Sequence, residues 1–395
     1  MRSNPNAHMK VGVIKLGARI AFNANDTSGA NGEARSIINM LDLGGADVHI
    51  FTKILAKDTL NKMFVWHDLG KEDYDTKGLD VLLVINGNVN FFGGAEDVSQ
   101  LLNYKIINEF DGPVFYAYCD PELTLKQVWP SVAKKPWAKN WEREELEIVR
   151  NDIIYLSQPY DVLAVAKNFS KSEVKPMSVK HFPFEQFPCL TACSYLAEFA
   201  DDNGPLKFNP NPEVDLSYGG TMRGGKRIEK MLKFYFGHPD ISVEMFGKID
   251  ASDFVPCKLG TVPIPYPHFS GPVKYDQMIP KMNKALAHCV IGDPYYEEIN
   301  DMPQRTYESI MANVVTFIDH DMDKLRRVYG RDKVLADFLY VKDRQELSEK
   351  ILLLKTDTNL RRQILDDQAK AVNFNAYEYS ANFVKELNSA WWRAK

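Results

Sequence analysis

Apolar positions in this chain come mostly in short unbroken runs rather than in strict alternation. In the first half such runs occupy residues 9–17 (MKVGVIKLG), 47–52 (DVHIFT), 79–87 (LDVLLVING), 113–120 (PVFYAYCD), 152–158 (DIIYLSQ) and 161–169 (DVLAVAKNF). Runs of that length suit strands buried on both faces, as in parallel sheets. Between them lie a polar Gly/Asn/Ser loop at 23–32 and a helical pattern at 33–43, stopped by Gly44-Gly45. A further helix is expected at 95–110, a loop around Trp129-Pro130 and Pro136-Trp137, and a charged helix at 141–152. Strand, loop, helix, strand is a βαβ unit, which implies a parallel sheet and a right-handed crossover.

The alternation breaks near Lys175-Pro176, in Pro- and Phe-rich chain, and again in a polar loop at 201–212. A second series then begins with VDLSYGG from Val214, a helix at 227–236, ISVEMFGK at 241–248 and a Pro-rich loop to Pro272. A helix at 275–284, a strand ALAHCVIGD at 285–293, a helix starting at 306–312 and a strand VVTFIDHD at 314–321 follow, with a mainly helical tail from 347 to 395. The expected architecture is α/β, two consecutive doubly wound halves with a cleft between them. Residues 1–8 read as a leader or tag remnant, 9–180 as the first Rossmann-like domain, 181–213 as a linker and 214–360 as the second.

Length agrees with more than one core, since 395 residues exceed what one usually supports. At 45% apolar and 26% charged residues, a largely disordered chain is excluded. The longest apolar stretch, about six residues at 114–119, is too short for a membrane span, and no secretory leader is apparent. Five scattered cysteines (Cys119, Cys189, Cys193, Cys257, Cys289) fit free thiols in a reducing compartment, and the chain reads as cytoplasmic. The net charge of −5 leaves any nucleic-acid contact to local patches. Candidates are Lys134, Lys135 and Lys139; Lys167, Lys171, Lys175 and Lys180; and Arg223, Lys226, Arg227, Lys230 and Lys233, each read more readily as solvated surface.

The richest segment chemically is YGGTMRGGKR at 218–227, after a strand and before a helix. Glycines there let backbone N–H groups approach an anion at a helix N-terminus, and Arg223 and Arg227, four apart, suit a diphosphate. Neither a Walker loop nor GxGxxG is present, and a plain glycine turn with surface arginines remains the alternative. In IGDPYYEEINDMPQRTYES (291–309), Arg305 and Glu308 share a helical face. They suit a phosphate and a pair of ribose hydroxyls, or an ion pair with each other. Asp120, at a strand's carboxyl end, suits a general base or a helix cap. Glu33, at the expected start of the first helix, is open between a ligand role and an answer to the helix dipole. NFFGG (90–94) suits packing or stacking on a base. CLTAC (189–193) lacks a zinc spacing, and neither a Ser–His–Asp order nor an HExxH helix occurs.

Taken in order, MKVGVIKLG, VNFFGG, QVWPSVAKKPWA followed by EELEIV, YGGTMRGGKRIEKM and IGDPYY…RTYESIMA resemble the DNA β-glucosyltransferase family of T-even bacteriophages. The resemblance runs from about Met9 to the C-terminal helices. It implies a GT-B fold, two Rossmann-like domains facing a central cleft, with residues 361–395 as C-terminal helices packing back on the first domain. It implies inverting transfer of a sugar from a UDP-sugar, UDP-glucose by default, to the hydroxymethyl oxygen of 5-hydroxymethylcytosine in duplex DNA, in the cytoplasm of an infected bacterium. Mg or Mn assisting the diphosphate, a monomeric state and no membrane partner complete the expectation. By position Asp120 resembles the catalytic base and Glu33 the sugar-side carboxylate. Gly220, Thr221, Arg223 and Arg227 match the diphosphate loop, and Phe246 and Gly247 the uracil site. Asp293, Tyr296, Arg305 and Glu308 match the remaining donor contacts, and Asn90 and Phe92 the DNA face. The chain departs from the family at Pro121-Glu122, where an apolar residue and an arginine are usual. A different donor such as UDP-arabinose, another hydroxylated pyrimidine acceptor, and a nucleotide-sugar-binding module that acts on no DNA are the alternatives.

Overall fold

The computed structural model describes residues 9–16, 19–22, 29–71, 74–85, 98–117, 148–150, 152–157, 180–183, 205–221, 226–249, 267–274, 277–292, 302–372 and 375–394. At 29–33, 98–101, 117, 155–157, 180–183, 226 and 390–394 it describes the backbone alone. The chain divides into two compact units, Met1–Ala197 with Ala376–Lys395, and Glu198–Asn375.

Among the described residues the first unit holds a seven-stranded parallel sheet. Its strands are β1 (Lys10–Lys15), β2 (Asp47–Thr52), β3 (Val65–Asp68), β4 (Val81–Ile85), β5 (Val114–Ala117), β6 (Ile154–Ser157) and β7 (Lys180–Pro183), in the order β3-β2-β1-β4-β5-β6-β7. Helix α1 (Gly29–Leu43) carries the chain from β1 to β2, and the chain then returns to lay β4 on the other side of β1. That reversal makes a topological switch point, beyond whose carboxyl edge ligands bind in open α/β sheets. Every residue of β4 is buried, as its unbroken apolar run demands. Helix α1 buries Ala34, Ile37, Ile38, Met40 and Leu41. Helix α2 (Val98–Glu109) ends on the guanidinium of Arg150, which donates to the carbonyls of Ile107 at 2.9 Å, Phe110 at 2.8 Å and Gly112 at 3.1 Å. Carbonyls at a helix end lack intrahelical donors, and this arginine supplies them.

The second unit repeats the plan with six parallel strands: β8 (Val214–Gly219), β9 (Val243–Phe246), β10 (His268–Phe269), β11 (Ala285–Val290), β12 (Val315–Asp319) and β13 (Tyr340–Val341). Their order is β10-β9-β8-β11-β12-β13, so the switch point lies between β8 and β11. Among the described residues of this unit the helices are α3 (Lys226–Tyr235), α4 (Met278–Met282), α5 (Arg305–Met311), α6 (Lys333–Leu339), α7 (Arg344–Thr356) and α8 (Thr358–Val372). A last helix, α9 (Ala376–Ala394), belongs to the first unit, where it packs on α1.

Several boundaries differ from the sequence reading. Helix α1 starts at Gly29, inside the stretch expected to be loop, so Glu33 is its fifth residue and the first turn holds no acid. The dipole fades beyond the first turn, which removes helix-end stabilisation as the reason for that carboxylate. Residues 181–183, expected as linker, close the first sheet as part of β7. Within the expected linker, chain near 206–211 is tied into the second unit: Leu206 N–H donates to Met311 O at 2.8 Å, and Asn313 donates to Leu206 O at 2.7 Å. Residues 361–372, expected to pack back on the first domain, lie in α8 of the second unit, where Arg361 donates to Asn209 O at 2.9 Å. Residues 148–150, expected as helix, are irregular because Arg150 is engaged with the end of α2. The remainder of that expected helix, and the stretch 161–169, lie outside the described residues.

Close approach of α9 depends on Gly44: a Cβ there would stand 2.4 Å from the carbonyl oxygen of Ser380 and 2.5 Å from Cγ2 of Val384. Gly44→Ala must push the helices apart and should cost about 1–3 kcal/mol, as overpacked interiors do. A thermal melt checks this, and an unchanged midpoint would show that α9 does not sit this close to α1.

Candidate functional site

Two glycine-bearing strand ends meet at the carboxyl edge of the second sheet. Strand β8 runs out through Gly219, Gly220 and Thr221, and β9 through Phe246 and Gly247. Gly220 N–H donates to the Phe246 carbonyl at 2.9 Å. Gly247 has φ of +126°, and a Cβ on it would lie 1.7 Å from the Gly220 carbonyl oxygen. No side chain fits there, so backbone touches backbone. A Cβ on Gly219 would stand 2.5 Å from the Phe246 ring, so that glycine too is required by packing. The Phe246 ring is fully buried with Met282, Ala312 and Val314. It shapes the floor, and only its backbone reaches the edge.

Arg227, in the first turn of α3, turns back and donates from Nη1 to the Thr221 carbonyl at 2.9 Å. The glycine-bearing loop and an arginine therefore sit together at a helix N-terminus, the combination that binds phosphate anions. Lys230 and Lys233, counted above in a possible nucleic-acid patch, are drawn elsewhere. Asp319, fully buried at the end of β12, takes Lys230 Nζ at 2.6 Å and Lys233 Nζ at 3.8 Å. Their charge is committed to an internal carboxylate.

Arg305 opens α5, and its Nη1 lies 2.7 Å from Glu308 Oε2. The ion-pair reading of this motif is what the structure displays. Glu308 is only 8% exposed at its side chain and Arg305 25%, so the pair is inside rather than on the surface. Residues 306–311 are all buried, which fixes the carboxylate's position.

His288, fully buried on β11 and in register with Ser217 of β8, was not singled out by sequence. Burial, then the charge of Arg305, push its pKa down to about 3. A histidine inside an apolar strand run was the available signal. Lys15, closing the apolar run of β1 at the first switch point, is likewise only 1% exposed, and a charge at the end of such a run was its signal.

In the first unit Glu33 lies on α1, just past the carboxyl end of β1, with its backbone alone described. Asn90, Phe92, Asp120, Arg223, Asp293 and Tyr296 lie outside the described residues, as do the side chains of Trp391 and Trp392. In sequence Asp120 follows β5 by three residues, and Asn90 and Phe92 follow β4. Among the described residues no group of three or more His, Cys, Asp or Glu side chains is placed to hold a metal ion. Cys289 is a buried free thiol. Among the described residues no helix is long and apolar enough to cross a membrane.

Two parallel Rossmann-type sheets, each reversing its order of growth once, are the layout of the GT-B architecture. An O-GlcNAc transferase mutant of Thermobaculum terrenum shares that fold at a TM-score of 0.50, with 10% identity over 100% of this chain and 68% of its own. Residues 9–188 match the family model of bacteriophage T4 beta-glucosyltransferase. The DNA beta-glucosyltransferase of Enterobacteria phage T4 is 26% identical over 365 residues, 92% of this chain and 95% of the phage protein. A mutant of the T4 phage enzyme in complex with UDP-glucose superposes at a TM-score of 0.74. It is 24% identical, over 97% of this chain and 99% of its own. The T4 phage enzyme in complex with UDP and Mn2+ gives a TM-score of 0.73 at 25% identity, over 95% and 99%.

His288 makes stability depend on pH. Unfolded, its imidazole takes a proton near pH 6.5, whereas in the fold it stays neutral down to about 3. The unfolded state therefore binds more protons in that window, and stability falls as pH falls through it. Between pH 7.5 and 5 the loss from this residue should be about 2 kcal/mol. His238, also lowered by burial, adds a loss of the same sign. Denaturant unfolding of the wild type and of His288→Gln at the two pH values measures the difference, and equal slopes would show that His288 titrates normally.

Proposed function

We propose that this protein is an inverting, UDP-glucose-dependent DNA glucosyltransferase whose acceptor is the hydroxymethyl oxygen of 5-hydroxymethylcytosine in duplex DNA. One observation carries the reading: the relative over 92% of the chain is a DNA beta-glucosyltransferase, and the glycine-lined, arginine-bearing edge of the second sheet has the chemistry its donor requires. Solved structures of the phage enzyme contain UDP-glucose, which favours glucose over a pentose donor. The reaction is assigned to the cytoplasm of an infected bacterium, with the protein acting as a monomer.

In this reading the diphosphate rests against the backbone of the loop at Gly220 and Thr221, between Arg223, Arg227 and Arg305. Glu308 accepts from the ribose hydroxyls, and Asp293 and Tyr296 complete the donor contacts. Phe246 and Gly247 border the uracil, the former through its backbone, and Glu33 contacts the sugar. A modified cytosine stacked in a duplex cannot offer its hydroxyl, so it is extruded at a cost of a few kcal/mol, with Asn90 and Phe92 at the DNA face. The hydroxymethyl oxygen attacks the anomeric carbon from the face opposite UDP, the bond from that carbon to the diphosphate oxygen breaks, and Asp120 takes the hydroxyl proton. One displacement inverts the carbon. Fixed arginines offset the charge gathering on the leaving UDP without reorganising, a form of catalysis that often supplies the largest contribution. The phage enzyme has been seen with Mn2+, and divalent Mg or Mn is proposed as an aid to the diphosphate here. The described residues supply no protein cage for it, so diphosphate oxygens would have to be its main ligands.

Asp120→Ala should cut transfer by at least about 100-fold, the usual span of general-base catalysis, while UDP affinity stays unchanged. A panel of UDP-sugars incubated with hydroxymethylated duplex DNA, read by nucleoside mass spectrometry, tests the whole proposal. A hexose mass gain with UDP-glucose is expected. A gain only with UDP-arabinose would reassign the donor, and no gain with any sugar would remove the activity.

A further inference from the structure

At the second switch point the sheet is opened by a side chain. Strands β8 and β11 pair through Ala285↔Val214, Ala287↔Leu216 and His288↔Ser217, and no further. On its other side β11 continues in register with β12 to Val290↔Ile318. One residue past the last β8 pair stands Cys289, fully buried. Its N–H donates to the hydroxyl of Tyr235 at 3.1 Å, and the same hydroxyl donates to its carbonyl. Tyr235 thus stands in for a strand residue, satisfying both backbone groups of Cys289 where β8 has diverged. A buried amide and carbonyl without such a partner would be costly.

Tyr235 is the last residue of α3, the helix whose first turn carries Arg227. Its ring meets Tyr218 of β8 edge-on at 5.2 Å between centroids. Tyr218 immediately precedes the glycine pair, and its hydroxyl would lie 3.0 Å from a Cβ on Gly220. The helix is also held by Lys230 on Asp319 at the end of β12. Beyond Cys289, β11 leads into the chain that returns as Arg305 and Glu308. Burial raises the Tyr235 pKa well above the ordinary phenol value, so the hydroxyl stays protonated and able to donate.

We infer that Tyr235 is a positioning residue for the donor site: its hydroxyl wedges β8 from β11 and fixes the helix bearing Arg227 against the strand that leads to Arg305 and Glu308. It touches no substrate. Its effect is to set the spacing between two halves of a site that must grip one nucleoside diphosphate. The inference rests on the donor reading of that edge.

Tyr235→Phe keeps the ring and removes only the bridge. UDP binding by titration calorimetry should weaken about tenfold, and KM for UDP-glucose should rise in step while KM for hydroxymethylated DNA stays constant. A merely destabilised variant would instead show less active protein, a lower kcat and both KM values unchanged; that result, or an unchanged UDP Kd in folded variant, overturns the inference. If the variant does not fold, hydrogen exchange of the wild-type Cys289 amide decides: slower exchange with saturating UDP supports the coupling, and equal exchange overturns it. Wild-type protein that binds no UDP would overturn the donor reading and this inference together, a result distinct from loss confined to the variant.

Discussion

The carbonyl of Gly220 occupies the place where a side chain on residue 247 would begin, and much of the geometry at the carboxyl edge of the second sheet follows from that contact. Strand ends twenty-seven residues apart in sequence are drawn to van der Waals limits because residue 247 carries no Cβ. Once they touch, the Gly220 amide is committed to Phe246, and the loop that continues through Thr221 leaves the sheet in a fixed direction. Arg227 then closes the loop from the helix side. An anion site needs several donors converging at rest, because reorganising them during binding or reaction would consume the interaction energy they provide.

Each unit builds its edge in the same way. A parallel sheet reverses its order of growth once, and its strands end in short loops on one side. In the second unit the reversal is reinforced by Tyr235 and by the Lys230–Asp319 pair, so helix α3 is tied to β11 and β12 as well as to its own strand. In the first unit the equivalent position carries a buried lysine, Lys15, and the chain's last helix returns to brace α1 through the contact at Gly44. Packing of that kind is discrete: a single methyl group at Gly44 or Gly247 has nowhere to go.

What could be read from sequence follows a physical division. Ten apolar runs read as strands; nine of them fall on described residues and all nine are interior strands of their sheets, while β3, β7, β10 and β13, the four outermost, went unread. An outer strand has one neighbour, is often short, and tolerates charge and proline, as in VWHD and KHFP. Periodicity reports burial, so it is weakest where burial is least. Gly220 and Arg227 were legible because glycine and arginine leave a compositional trace, whereas Gly247 came only through the family resemblance. Tyr235, His288 and Asp319 were not, since each sits in a run whose apolar neighbours explain it equally well. Lys230 and Lys233 misled for the converse reason: a cation in sequence does not reveal that a buried carboxylate already claims it.

The internal pairing of Arg305 with Glu308 has a consequence for discrimination. A bare phosphate or sulfate that attracts the guanidinium strands an almost wholly enclosed carboxylate, and the exchange gains little. Only a molecule presenting an anion together with hydroxyl donors compensates both partners at once. In the proposed donor site the couple would act as a two-key lock, turning away abundant inorganic anions and admitting a ribonucleotide.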